Sequence, residues 1–155
     1  MGSKPVVAIV QAEIAADIQS GLTRTAELAR EAARAGAELI VFPETWIPGY
    51  PAWLDVSRDA ALWDHAPVKA VFGRIADNSV AVSGAAFDAL AAIARDVGAT
   101  LAVGISERVD VGAGRGTLYN SLLTIGPDGR LLNHHRKLMA TYTGQSTARA
   151  DRTLP

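Results

Sequence analysis

The chain has 155 residues, 49% of them hydrophobic and 20% charged, with a formal net charge of -1. That composition specifies a folded domain with a real core, and the near-zero charge offers no electrostatic basis for binding nucleic acid or an anionic membrane. There is no cysteine, so disulfides, thiolate metal sites and a thiol nucleophile are excluded from the chain's own chemistry.

At the N-terminus, Gln11, Glu13 and Asp17 interrupt what a signal peptide would keep apolar. Val6 stands where N-myristoylation requires Ser or Thr. No apolar run approaches the roughly 20 residues of a membrane span. A cytoplasmic location without membrane attachment is the expectation.

Val6 to Val10 is an apolar run of buried-strand type. Residues 18–35 are rich in good helix formers, with Ile18, Leu22, Thr25, Ala29 and Ala32 near one face and Gly36 placed to stop the helix. Glu38 to Phe42 reads as a second buried strand, so the chain opens with a β-α-β unit and a parallel pair. Residues 43–58 carry three prolines, a glycine and the aromatics Trp46, Tyr50 and Trp53, the composition of a structured loop at a strand's C-terminal end.

A helix is predicted over 68–77, and another on Phe87, Leu90, Ala91, Ala94 and Val97, closed by Gly98. Strands follow at 100–107 and 118–125, joined by the glycine-rich 112–116 connection. The turn Pro127-Asp128-Gly129 predicts a hairpin between 118–125 and 131–135. The order β-α-β, α, β, hairpin specifies an α/β fold with a mixed sheet.

Three near-motifs fail on their own terms. Gly112 to Gly116 has Thr117 where a dinucleotide loop needs glycine, and it opens a strand. Gly104 to Arg108 ends in Arg108 where a nucleophile elbow needs glycine, which leaves Ser106 an ordinary strand residue. His134 and His135 are neighbours on a strand and point to opposite faces, while His65 is isolated, so no metal site is predicted.

The informative stretch is 36–51, GAELIVFPETWIPGYP. A hydrophobic strand delivers Glu44 to its C-terminal end, where sites gather in α/β sheets, and an aromatic loop follows. Partial desolvation by Trp and Tyr would push the Glu44 pKa upward, toward general-base work.

This stretch resembles the glutamate signature of the nitrilase family of carbon–nitrogen hydrolases, and its Gly49-Tyr50-Pro51 ending is more similar to the nitrilase branch than to the amidase branches. Gly116 to Ser121, the turn Gly126 to Arg130, and His135-Arg136-Lys137-Leu138 follow in the family's order and spacing. The resemblance covers roughly residues 4–139. It implies a general base at Glu44 and the catalytic lysine at Lys137, with Tyr50 and Trp53 lining a pocket for a small-molecule nitrile. No cofactor and no metal are implied.

The family's fold is a four-layer α-β-β-α sandwich that assembles into oligomers, and this chain corresponds to its N-terminal half. Residues 1–139 are expected to form a partial domain, and 140–155 a divergent, disordered tail. Ala140 stands where the family usually has proline, and Gly144 near its second active-site glutamate. The family's nucleophile is a cysteine beyond the lysine, and none is present. The expectation is a truncated hydrolase, inactive alone, with uncovered sheet surface that favours association; the alternatives are a non-catalytic binding or assembly protein that keeps the fold, and a carbon–nitrogen hydrolase of the amidase branch.

Overall fold

The computed structural model of the chain describes residues 4–51, 59, 62 and 64–139. Along it run β1 (Val7–Ile9), α1 (Ile18–Arg34), β2 (Leu39–Val41), α2 (Ala66–Asp77), α3 (Ala85–Val97), β3 (Thr100–Arg108), β4 (Leu118–Ile125) and β5 (Leu131–Arg136). The five strands form one sheet in sequence order, with β1, β2 and β3 parallel and β4 and β5 antiparallel additions. The expected α/β class and mixed sheet are observed.

Local chemistry sets the helix ends. The Asp17 carboxylate accepts from the Ser20 amide at 2.7 Å, satisfying an amide that the first turn leaves without a partner. At the other end Gly36 takes φ 89°, a left-handed conformation that costs glycine nothing. The predicted face is the one that packs: Thr25 and Ala29 are buried, and Ile18, Leu22 and Ala32 lie against the core. In α3, Leu90, Ala91 and Ala94 are buried, and Gly98 closes the helix at φ 64°.

Side chains alternate across the sheet, and the two faces differ sharply. Ile40, Leu101, Val103, Ile105, Leu123 and Ile125 are buried and belong to the same core cluster as the inner residues of α1 and α3. On the opposite face Ile9 is 75% exposed, and Val7 and Leu122 are also open. β1 therefore departs from the buried strand expected of its composition. It is an edge strand, and among the described residues only its Ala8 side packs against the core.

β3 is the organising strand. One edge carries the full β4 ladder. The other is paired in turn with β2, with Ile47 and with Val80. The β3–β4 connection is held by Val109 N–H donating to Thr117 O at 3.0 Å and Gly116 N–H donating to Val109 O at 2.8 Å. The turn at Pro127-Asp128-Gly129 forms as predicted, with Gly129 at φ 80°. No helix among the described residues is long and apolar enough to cross a membrane.

Candidate active site

The segment after β2 leaves the sheet and then returns to it. Phe42 N–H still donates to Ala102 O at 2.8 Å, but the next residue to pair with β3 is Ile47, whose carbonyl accepts from Ser106 N–H at 2.8 Å. Residues 43–46 bulge out between these anchors, and Glu44 sits on the bulge. Trp46 pins it from below. Its ring is 1% exposed, lies 5.5 Å from Phe42, and its indole N–H donates to the Thr25 hydroxyl of α1 at 2.7 Å.

Gly104 makes room for the bulge from the β3 side. A Cβ there would fall 2.3 Å from Pro43 O, 2.7 Å from Glu44 Cα and 2.8 Å from Thr45 N. All three are backbone atoms, so no side-chain rotation relieves the clash. Gly104→Ala is expected to cost about 1–3 kcal/mol through overpacking and to displace Glu44. Urea denaturation reads the first effect and the Glu44 carboxyl chemical shift the second. A variant as stable as the parent, with Glu44 undisturbed, would refute this account of the glycine.

Lys137 reaches the site from the far side of the hairpin. Its backbone N–H donates to Asn120 O at 2.8 Å, which extends the β4–β5 ladder by one residue. Its Nζ donates to Glu44 Oε1 at 2.8 Å across 93 residues of sequence. The Asn120 amide donates to the same oxygen. Glu44 and Lys137, the two residues expected to act together, are thus in direct contact.

Asn120 was not foreseen as a site residue. It lies inside the Gly116 to Ser121 stretch that carries part of the family resemblance, which was the available signal. Its backbone holds Lys137 and its side chain holds Glu44.

The electrostatics reverse one expectation. Glu44 was expected to have a raised pKa under aromatic cover. Instead the hydrogen bond from Lys137, followed by that from Asn120, holds its carboxyl below the usual glutamate value and outweighs partial burial. Trp46 is drawn into the core, and the Glu44 side chain stays 54% exposed. Lys137 is correspondingly raised, chiefly by its bond to Glu44, with the charge of Glu44 and the Tyr50 ring adding to it against slight burial. Tyr50, one of the two pocket candidates, is 38% exposed. Trp53, the other pocket candidate, and the 140–155 tail lie outside the described residues.

The result is an ionised carboxylate with an ammonium donating to one of its oxygens, on the sheet face away from α1 and α3. Such a pair can take a proton from an incoming nucleophile and stabilise negative charge developing beside it.

The sequence matches the Carbon-nitrogen hydrolase family over residues 6–153. Over 128 residues it is 34% identical to the cyanide hydratase of Gibberella zeae, covering 81% of this chain and 32% of that protein. Over 137 residues it is 35% identical to the arylacetonitrilase of Hypocrea virens, covering 88% of this chain and 38% of that protein. An amidase from Nesterenkonia sp. superposes with a TM-score of 0.61 at 20% identity, covering 94% of this chain and 48% of that structure. At that identity the likeness is one of fold. The chain spans about a third of the length of the curated relatives it matches.

Proposed function

From the premise that the chain belongs to the carbon–nitrogen hydrolase family, in its nitrilase branch, we propose that it carries the general base and the charge-stabilising lysine of nitrile hydrolysis. In this reading Glu44 accepts the proton of a cysteine thiol, and the thiolate adds to the nitrile carbon. Lys137 stabilises charge developing at the attacked group. Water converts the resulting thioimidate to a tetrahedral species, ammonia leaves, and a second water releases the carboxylic acid from the thioester. The observation that supports the assignment is the 2.8 Å contact between Lys137 Nζ and Glu44 Oε1. A small-molecule nitrile as substrate accords with relatives named as a cyanide hydratase and an arylacetonitrilase.

The cysteine is not among the 155 residues. A hydroxyl is no substitute, since its proton is far less acidic than that of a thiol. The chain alone is therefore proposed to be inactive. Its exposed Val7, Ile9 and Leu122 support association with further protein through the sheet face that bears the site.

The absence of a nucleophile also supports a second reading, a non-catalytic assembly protein that retains the fold. Ammonia release from nitriles separates the two, measured on this chain and on a version extended through a cysteine-bearing segment of a relative. Activity in the extended form alone supports the hydrolase reading. An inert extended form supports the second, and turnover by the chain alone contradicts both.

A further inference from the structure

β5 must present Lys137 on one face only, because a one-residue slip would turn it to the other. The hairpin turn does not secure this. Between the turn and the site the β4–β5 register shifts at Thr124/Ile125, where Ile125 pairs with Leu131 but Thr124 pairs with Asn133. The facing of everything beyond Leu132 has to be set by something downstream of that bulge.

Glu107 of β3 is placed to do so. It points to the face covered by α1 and α3 and its side chain is 4% exposed, yet it accepts bonds from the adjacent β4 and from β5 beyond it. The Ser121 hydroxyl of β4 donates to Oε2 at 2.7 Å. From β5, His134 Nε2 lies 2.8 Å from Oε2. Arg136 grips both oxygens, Nε to Oε2 at 3.0 Å and Nη2 to Oε1 at 2.6 Å. The guanidinium is backed by the Tyr119 ring, 4.1 Å from its centroid. A two-pronged arginine contact of this kind fixes direction as well as distance.

Arg136 and Lys137 are consecutive, so a β5 whose Arg136 is held on the helix face sends Lys137 to the opposite one. We infer that Glu107 is the positioning residue of the site: by clamping Arg136 and His134 beneath the sheet, it sets the register that brings Lys137 to Glu44 above it. The inference rests on the Glu44–Lys137 assignment proposed above. Glu107 itself touches neither residue and sits on the other side of the sheet.

The test is an NMR titration of the Glu44 carboxyl in the full chain and its variants. In the parent, Glu44 should titrate below the ordinary glutamate value, and Lys137→Met should return it there. Glu107→Gln, folded by its chemical-shift dispersion, should raise the Glu44 midpoint to that seen in Lys137→Met. The direction discriminates, because loss of a nearby negative charge by itself lowers a carboxylate's midpoint. Arg136→Lys keeps the charge but loses the fork, and it should move Glu44 the same way by a smaller amount; at a half-exposed position it serves if Glu107→Gln does not fold. A depressed Glu44 midpoint left unchanged in the folded variants overturns the clamp and spares the pairing. An ordinary midpoint in the parent that is indifferent to Lys137→Met overturns the pairing, and the clamp with it.

Discussion

In a form of the protein extended to include a cysteine, Glu44→Gln is expected to lower ammonia release from a nitrile by about 1,000-fold or more, and Lys137→Met by about 100- to 1,000-fold. Glutamine preserves the shape of Glu44 and can still meet Asn120, but it cannot accept the thiol proton. Methionine preserves much of the bulk of Lys137 and removes the charge. The loss should fall on kcat, since both residues act on groups that develop charge during reaction rather than on the resting substrate. Because hydrogen bonds from Lys137 and Asn120 hold Glu44 below its ordinary value, the base stays ionised into mild acid. The acid limb of the rate should therefore lie below the usual carboxylate range, and Lys137→Met should move any residual activity's limb upward. Undiminished turnover in Glu44→Gln would remove this carboxylate from the chemistry.

Acid should unfold the protein through Glu107. Burial on its own would raise this carboxyl, but the bonds from Arg136, Ser121 and His134 outweigh it and bring the group from 4.5 down to about 2. A carboxylate depressed in the folded state stabilises the fold above its unfolded value, and that contribution is lost as pH falls toward the folded one. The window thus runs from about 4.5 to about 2, and the loss over it is about 3 kcal/mol. For a domain whose whole stability is about 5–15 kcal/mol, that is a substantial fraction. Urea midpoints collected down through this range should fall steeply in the parent and more gently in Glu107→Gln, which has nothing to protonate there. Parallel curves would refute the assignment. Glu44 adds little to this effect, because its side chain is more than half exposed and screened by solvent.

Features written in local chemistry were legible before the structure. The helical face of α1, the glycine stops at Gly36 and Gly98, the 118–125 strand and the Pro127-Asp128-Gly129 turn each follow from residues within a few positions of one another. The pairing of Glu44 with Lys137 was legible only through family resemblance, since nothing local joins residues 93 apart. Three features escaped because they depend on distant neighbours. β1 has the composition of a buried strand, but an apolar run does not reveal how many of its sides are covered. The Glu44 pKa was expected upward because Trp46 adjoins it in sequence, whereas the Thr25 hydroxyl of α1 draws the indole inward. Glu107 resembled any strand residue, because its partners Ser121, His134 and Arg136 arrive from 14 to 29 positions later.

The two halves of the charge pair also come from segments that assemble by different routes. Lys137 and Asn120 belong to a run of three antiparallel strands joined by short turns, where contacts form between near neighbours and closure is entropically cheap. Glu44 joins only when the crossover that contains α2 and α3 has laid β2 beside β3, which demands ordering a far longer stretch of chain. The lysine's cradle should therefore be formed before the carboxylate docks into it, and the Glu44–Lys137 bond becomes a late event of folding. A refolding chain caught early would protect the β4 amides from hydrogen exchange while Glu44 still titrated like any glutamate in water.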